Sequence, residues 1–197
     1  MQTQVFLGIV IKTAKVKESN MRVHLLTAEG IKVCEGQGAT KPTAKLKAAL
    51  QLFTIAEFCV LGHRITGAHV LSGGMGITRE INRYYLASSI CEVLNRLHIS
   101  ENSGSVFVLT AKALEQLKST DMSCYKVFIN YFTKLLGELG YDIEDNHKIF
   151  NTFKNTPDDE IDTIKLSLPV AKSCVKHLAQ CYLAHLDVEI CCAKQFA

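Results

Sequence analysis

Three lysines crowd one stretch of the chain. Lys41, Lys45 and Lys47 sit close together inside Val33–Phe53 (VCEGQGATKPTAKLKAALQLF). A glycine-bearing turn precedes them, and an apolar run beginning near Ala48 follows. Cations beside a mobile glycine turn can reach successive phosphates of a nucleic-acid strand, and each neutralised phosphate releases counterions. Phe53 and Phe58 are near enough in sequence to add base stacking, although strand aromatics in small barrels usually belong to the core. Charge alone fits this chemistry and an ordinary solvated lysine face equally well.

The remaining reactive residues point away from catalysis. Cys174, His177, Cys181 and His185 fall near one face of one predicted helix. The first and last are about 16 Å apart along such a helix, too far for one coordination sphere of about 2 Å. A pair such as His177 and Cys181 would need ligands from other segments. The eight cysteines are scattered with no C-x-x-C pair, so they read as small apolar residues. Gly73-Gly74-Met75-Gly76 lacks the G-x-G-x-x-G spacing and no Lys-Ser/Thr follows, so it reads as a hinge. Neither G-x-S-x-G nor H-E-x-x-H occurs, and Cys59 near His63 has no evident orienting carboxylate. Asp158, Asp159, Glu160 and Asp162 read as a solvated acidic loop. No catalytic residue, metal ligand or cofactor is assigned.

A β-rich front half must position the lysines. Val5–Thr13 is a β-branched run, and Ala14–Asn20 is a polar connection. Met21–Thr27 alternates and turns through Ala28-Glu29-Gly30 into Ile31–Cys34, a hairpin. Leu50–Leu61 and Ile65–Ser72 read as two more strands around a turn at Gly62-His63-Arg64. Five short antiparallel strands of this size are expected to close into a barrel, which removes exposed edges. The OB-fold is the common member of that class. From Arg79 the period becomes helical, with apolar stripes through Ile81–Leu97, Phe107–Leu117 and Met122–Leu139. Asp121 is the expected N-cap of the third helix and Gly140 its C-terminal glycine. Ser167 and Pro169 open a last helix, and the tail CCAKQFA is expected to pack back on the bundle. The predicted class is α+β: an N-terminal five-stranded antiparallel OB-fold β-barrel over residues 1–78, followed by an all-α domain over 79–197.

Composition bounds the rest. A hydrophobic fraction of 48% with 21% charged residues belongs to a chain that builds a core, not to a disordered one. No apolar run reaches the ~18 residues of a membrane span. The N-terminus lacks a basic n-region and a cleavage site, so a cytoplasmic location is expected. Residues 1–78 carry nine cations and four anions, a net +5 that leaves −2 for the remainder of a chain whose total is +3. A basic front half calls for an anionic partner.

The order of motifs resembles a known family. Gly8–Thr13 (GIVIKT), Glu18–Asn20 (ESN), Leu25–Val33 (LLTAEGIKV), Gly38–Lys41 (GATK) and Leu46–Thr54 (LKAALQLFT) resemble the N-terminal OB-fold of the bacterial recombination mediator RecO. Ile77–Leu97 looks like that family's first long helix. Tyr131–Tyr141 (YFTKLLGELGY) is similar to its F-x-x-x-L-L-x-x-L-G-Y signature, and Leu178–Leu186 to its closing helix. Two departures stand out. Asp142–Lys148 replaces the four-cysteine zinc ribbon of many members. Gln37-Gly38-Ala39-Thr40 replaces the usual K-G-A-R.

The resemblance implies a non-catalytic, nucleoid-associated protein of recombinational repair. Such a protein binds single- and double-stranded DNA, anneals strands, works with RecR, and helps load RecA onto DNA coated by single-strand-binding protein. With two cations missing from the loop, Lys15, Lys17 and Arg22 are expected to share phosphate contact with Lys41, Lys45 and Lys47. The family docks the acidic tail of single-strand-binding protein on its helical domain, which points to Lys126, Phe128, Phe132 and Lys134. The rival reading is a protein adaptor that docks repair partners with little DNA affinity. A metal-dependent enzyme on the Cys/His helix is the remote third.

Overall fold

The computed structural model describes residues 2–16, 18–41, 43–97, 99, 103–119, 123–141, 143 and 148–196. Lys17, the expected cap Asp121 with Met122, and most of the segment 142–147 lie outside the described residues. The chain divides into two compact units, Met1–Gly76 with His98–Phe107, and Ile77–Leu97 with Val108–Ala197.

The first unit is a closed barrel in the strand order β1-β2-β3-β5-β4. β1 (Thr3–Val16) is long enough to serve two neighbours. Its first half pairs with β4 (Ile55–Leu61) and its second half with β2 (Asn20–Thr27), with a register shift between Val10 and Lys12 where it changes direction. Gly8 lets the Phe58 ring pack close to the β1 backbone, since a Cβ there would come within 3.2 Å of it. β2 turns into β3 (Gly30–Gly36) through Gly30 at φ +110°, a conformation that glycine adopts without strain. The Thr27 hydroxyl donates to the Gly30 carbonyl at 2.8 Å and accepts from the Glu29 N–H at 3.2 Å, closing that turn. β4 returns as β5 (Arg64–Ser72).

The barrel closes where β3 meets β5, Glu35 opposite Arg64, and that pairing is parallel. The expected all-antiparallel sheet is therefore corrected to a mixed one. A strand that returns from its hairpin partner to the far edge of a five-stranded closed sheet arrives there parallel. Val10, Val23, Leu25, Cys34, Ala56, Phe58, Val60 and Ile65 fill the interior.

The expected strand over residues 50–61 is also corrected at its start, since residues 50–54 form turns and β4 begins at Ile55. Gly74 is not a free hinge. It is buried, and a Cβ on it would collide with the Leu52 carbonyl oxygen. The short helix α1 (Met75–Thr78) follows.

In the second unit, α2 (Ile81–Arg96) is capped by Glu80, whose carboxylate accepts from the N–H groups of Asn82 and Arg83 at 3.0 and 3.1 Å. α3 (Ser103–Gln116) begins among the residues grouped with the barrel, where the Ser103 hydroxyl donates to the Ala28 carbonyl at 2.7 Å. α4 (Cys124–Glu138) follows Ser123 and supplies the aromatic core. Gly140 ends it at φ +82°, with the Tyr141 N–H reaching the Leu136 carbonyl at 3.0 Å.

α5 (Lys148–Asn155) is a helix that polar composition concealed, with Phe150 and Phe153 turned inward. A 3₁₀ turn, Asp158–Thr163, leads to α6 (Leu168–Leu186). Ser167 holds the N-cap position of α6 without a side-chain bond. The tail does fold back: in α7 (Ala193–Phe196) the Phe196 ring lies 5.4 Å from Tyr125 and 5.9 Å from Phe128.

Candidate nucleic-acid interface

The lysine loop, residues 37–54, caps one end of the barrel. It enters at Gly36, where a Cβ would come within 2.5 Å of Leu50 Cδ1, so the missing side chain is what lets the loop fold back over the strand end. Ala39, Ala49 and Leu50 enter the barrel core, while Lys41, Lys45 and Lys47 stay exposed. A run of tight turns joins them, with the Ala44 N–H on the Lys41 carbonyl and the Lys47 N–H on the Ala44 carbonyl, both at 3.1 Å.

The loop leaves through Phe53, a buried residue at φ 66°. Its N–H donates to the Val10 carbonyl at 3.0 Å, and the Val10 N–H donates to the Thr54 carbonyl at 2.9 Å. Phe53 and Phe58 are fully buried, so neither can stack on a base.

At its other end the loop meets the β1–β2 turn. The Gly38 N–H donates to Asn20 Oδ1 at 3.2 Å, the Thr40 N–H to the Ser19 carbonyl at 3.2 Å, and the Thr40 hydroxyl to the Glu18 carbonyl at 3.2 Å. This ties the loop to the strand ends that carry two exposed cations on opposite faces: Arg22 shares the outward row with Ala14 and Glu35, whereas Lys15 pairs with Met21 in the barrel-facing phase. Arg22 faces Glu35 across the hairpin at 3.4 Å, an exposed pair that water screens strongly. Among the described residues no ion pair engages Lys15, Lys41, Lys45 or Lys47.

Register adds a cation that the sequence analysis left out of the interface. Lys12 is exposed and sits in the outward row Lys12–His24–Val33, next to the row Ala14–Arg22–Glu35. The alternation that put Arg22 on a face carried the signal, but the phase it shares with Lys12 depends on the β1–β2 register, which shifts between Val10 and Lys12. Lys32, by contrast, is occupied: its ammonium lies 2.7 Å from Glu29 and 4.4 Å from the centre of the Phe6 ring.

The four residues suggested for a partner on the helical unit do not form an open surface. Phe128 and Phe132 are fully buried, their rings 4.7 Å apart, with Phe132 a further 5.2 Å from Tyr182. Lys126 donates to the Asp162 carbonyl at 2.6 Å, and Lys134 to the Thr156 carbonyl at 2.8 Å and Asp158 Oδ1 at 2.6 Å. The acidic turn is therefore not simply a solvated loop. Burial raises the Asp158 carboxyl, but hydrogen bonds from Asn130, Lys134 and Lys112 outweigh it and hold the pKa below the ordinary value.

The Cys/His helix shows no convergence on a metal. His177 stacks on Phe150 at 5.4 Å and His185 lies 5.3 Å from Tyr141. Among the described residues no group of three or more His, Cys, Asp or Glu side chains is placed to hold a metal ion. Burial pushes the Cys91 and Cys192 thiols up to about 12, which keeps them protonated and unreactive near neutral pH. Among the described residues no helix is long and apolar enough to cross a membrane.

A five-stranded OB barrel that carries its exposed lysines on a capping loop, joined to a helical unit, defines a protein of the OB-fold class with a separate all-α part. Residues 1–70 match the family described as Recombination protein O N terminal, and residues 78–154 match Recombination protein O C terminal. The chain belongs to the recombination protein O family, which has a role in recombinational DNA repair. No curated protein matches it.

Proposed function

We propose that this protein binds DNA through the lysine-bearing end of its barrel and acts as a recombination mediator, annealing strands and helping RecA onto DNA covered by single-strand-binding protein. The observation that carries this is the capping loop, with Lys41, Lys45 and Lys47 exposed and the loop bonded to the β1–β2 turn. Its contacts are with phosphate and not with base faces, because the nearby aromatics are buried. Both single- and double-stranded DNA fit such a surface, and binding weakens steeply with salt.

RecR and the tail of single-strand-binding protein are the proposed protein partners, and the nucleoid is the proposed location. An acidic tail that used Lys126 and Lys134 would have to displace Asp162 and Asp158, which already hold them. Titration of a labelled single-stranded oligonucleotide at low salt tests the reading. Measurable binding is expected. Its absence, with capture of RecR or single-strand-binding protein retained, would replace this function with a protein adaptor.

A further inference from the structure

The lysine loop is held at its two ends by different physics. At the far end Leu50 and Phe53 are buried and the Phe53–Val10 backbone bond ties the chain to β1. At the near end the ties are polar: Asn20 Oδ1 accepts the Gly38 N–H, and Thr40 bonds residues 18 and 19 through both its hydroxyl and its N–H. Gly38 can meet Asn20 because it adopts φ +64°, with nothing within 4 Å of where a Cβ would stand. Thr40 fills a position at which a cation was expected, yet its side chain is turned to the β1–β2 turn.

We propose that Asn20 and Thr40 are positioning residues: they latch the loop to the β1–β2 turn, so that Lys41 is held in fixed register against the strand ends that carry Lys15 on one face and Arg22 on the other. Neither residue touches the nucleic acid in this role. The latch replaces charge with geometry, since cations held in fixed register neutralise phosphates together without first ordering a loose loop. The inference rests on the DNA-binding function proposed above.

The test compares wild type, Thr40→Val, Asn20→Ala, the double variant and Thr40→Ser. Each is titrated with a labelled oligo(dT) at a series of salt concentrations, and each is melted thermally. The double variant is expected to show a log K against log salt slope shallower by about one, the loss of one phosphate contact or more. Thr40→Val removes only the hydroxyl and is expected to fall between, with Thr40→Ser returning to wild type.

The apolar anchors at Leu50 and Phe53 are untouched in every variant, and the melts report whether the barrel stays folded. Binding by wild type with an unchanged slope in the double variant overturns the latch alone, and a lowered melting temperature with that unchanged slope assigns the pair to stability. No binding by wild type at low salt overturns the DNA reading and the latch with it.

Discussion

Phe53 sets the loop at the cost of local strain. A non-glycine residue at φ 66° stands about 1–2 kcal/mol above its relaxed backbone. The conformation persists because the ring is buried and the N–H is fixed to Val10. Phe53→Ala leaves the strain and opens a cavity, so a loss of about 3 kcal/mol or more is expected in denaturant unfolding. A loss below about 1 kcal/mol would contradict the packing described. The exposure of Lys41, Lys45 and Lys47 was legible from residue type, because lysine rarely buries its ammonium. The roles of Asn20 and Thr40 were not. Their bonds cross eighteen and twenty-two positions of sequence, and nothing in a short polar side chain announces a partner so far away.

Among the elements, the acidic turn Asp158–Thr163 fastens α3 to α4. Lys112 of α3 lies 3.1 Å from Asp158 Oδ2, and Asn130 and Lys134 of α4 reach its Oδ1 at 2.9 and 2.6 Å. The Asp158 side chain is only 13% exposed, so an amide in its place still accepts through one oxygen but leaves the Lys134 and Lys112 ammonium groups without their counter-charge and turns an NH2 donor towards one of them. Asp158→Asn is expected to destabilise the protein by about 2 kcal/mol. The pH dependence has a definite sign. A carboxyl whose pKa is lowered by folding stabilises fully above its unfolded value of about 4, and that contribution is lost as pH falls through the lower folded value. The gap between wild type and Asp158→Asn in thermal midpoint is therefore expected at pH 7 and should shrink below about pH 4; a gap that is constant with pH would refute the ionic role. The acidic run itself was visible in sequence, but the half-burial of Asp158 against Lys112, Asn130 and Lys134 was not, because those partners stand 24 to 46 positions away. The start of β4 was misplaced for a related reason. Residues 50–54 are as apolar as a strand, yet Leu50 and Phe53 spend that character on capping the barrel.

Across the whole molecule, the division into a basic barrel and a helical unit was legible, because the hydrophobic period changes from two to 3.6 near residue 79. The grouping of residues 98–107 with the barrel was not legible, since it rests on contacts such as Ser103 with Ala28 that join distant parts of the chain. Of the cations that make up the net +5 of residues 1–78, Lys41, Lys45 and Lys47 are exposed on the loop, while Glu35 pairs with Arg22 and Glu29 holds Lys32. The central claim is that the exposed loop lysines are where DNA meets this protein. The most direct test is the salt dependence of oligonucleotide binding by wild type and by the Lys41→Ala, Lys45→Ala, Lys47→Ala triple variant. The expected result is weaker binding to every sequence, with a log K against log salt slope shallower by about two, near 0.7 for each lost contact to a single strand. A slope identical to that of wild type would place the DNA site elsewhere on the protein and contradict the claim.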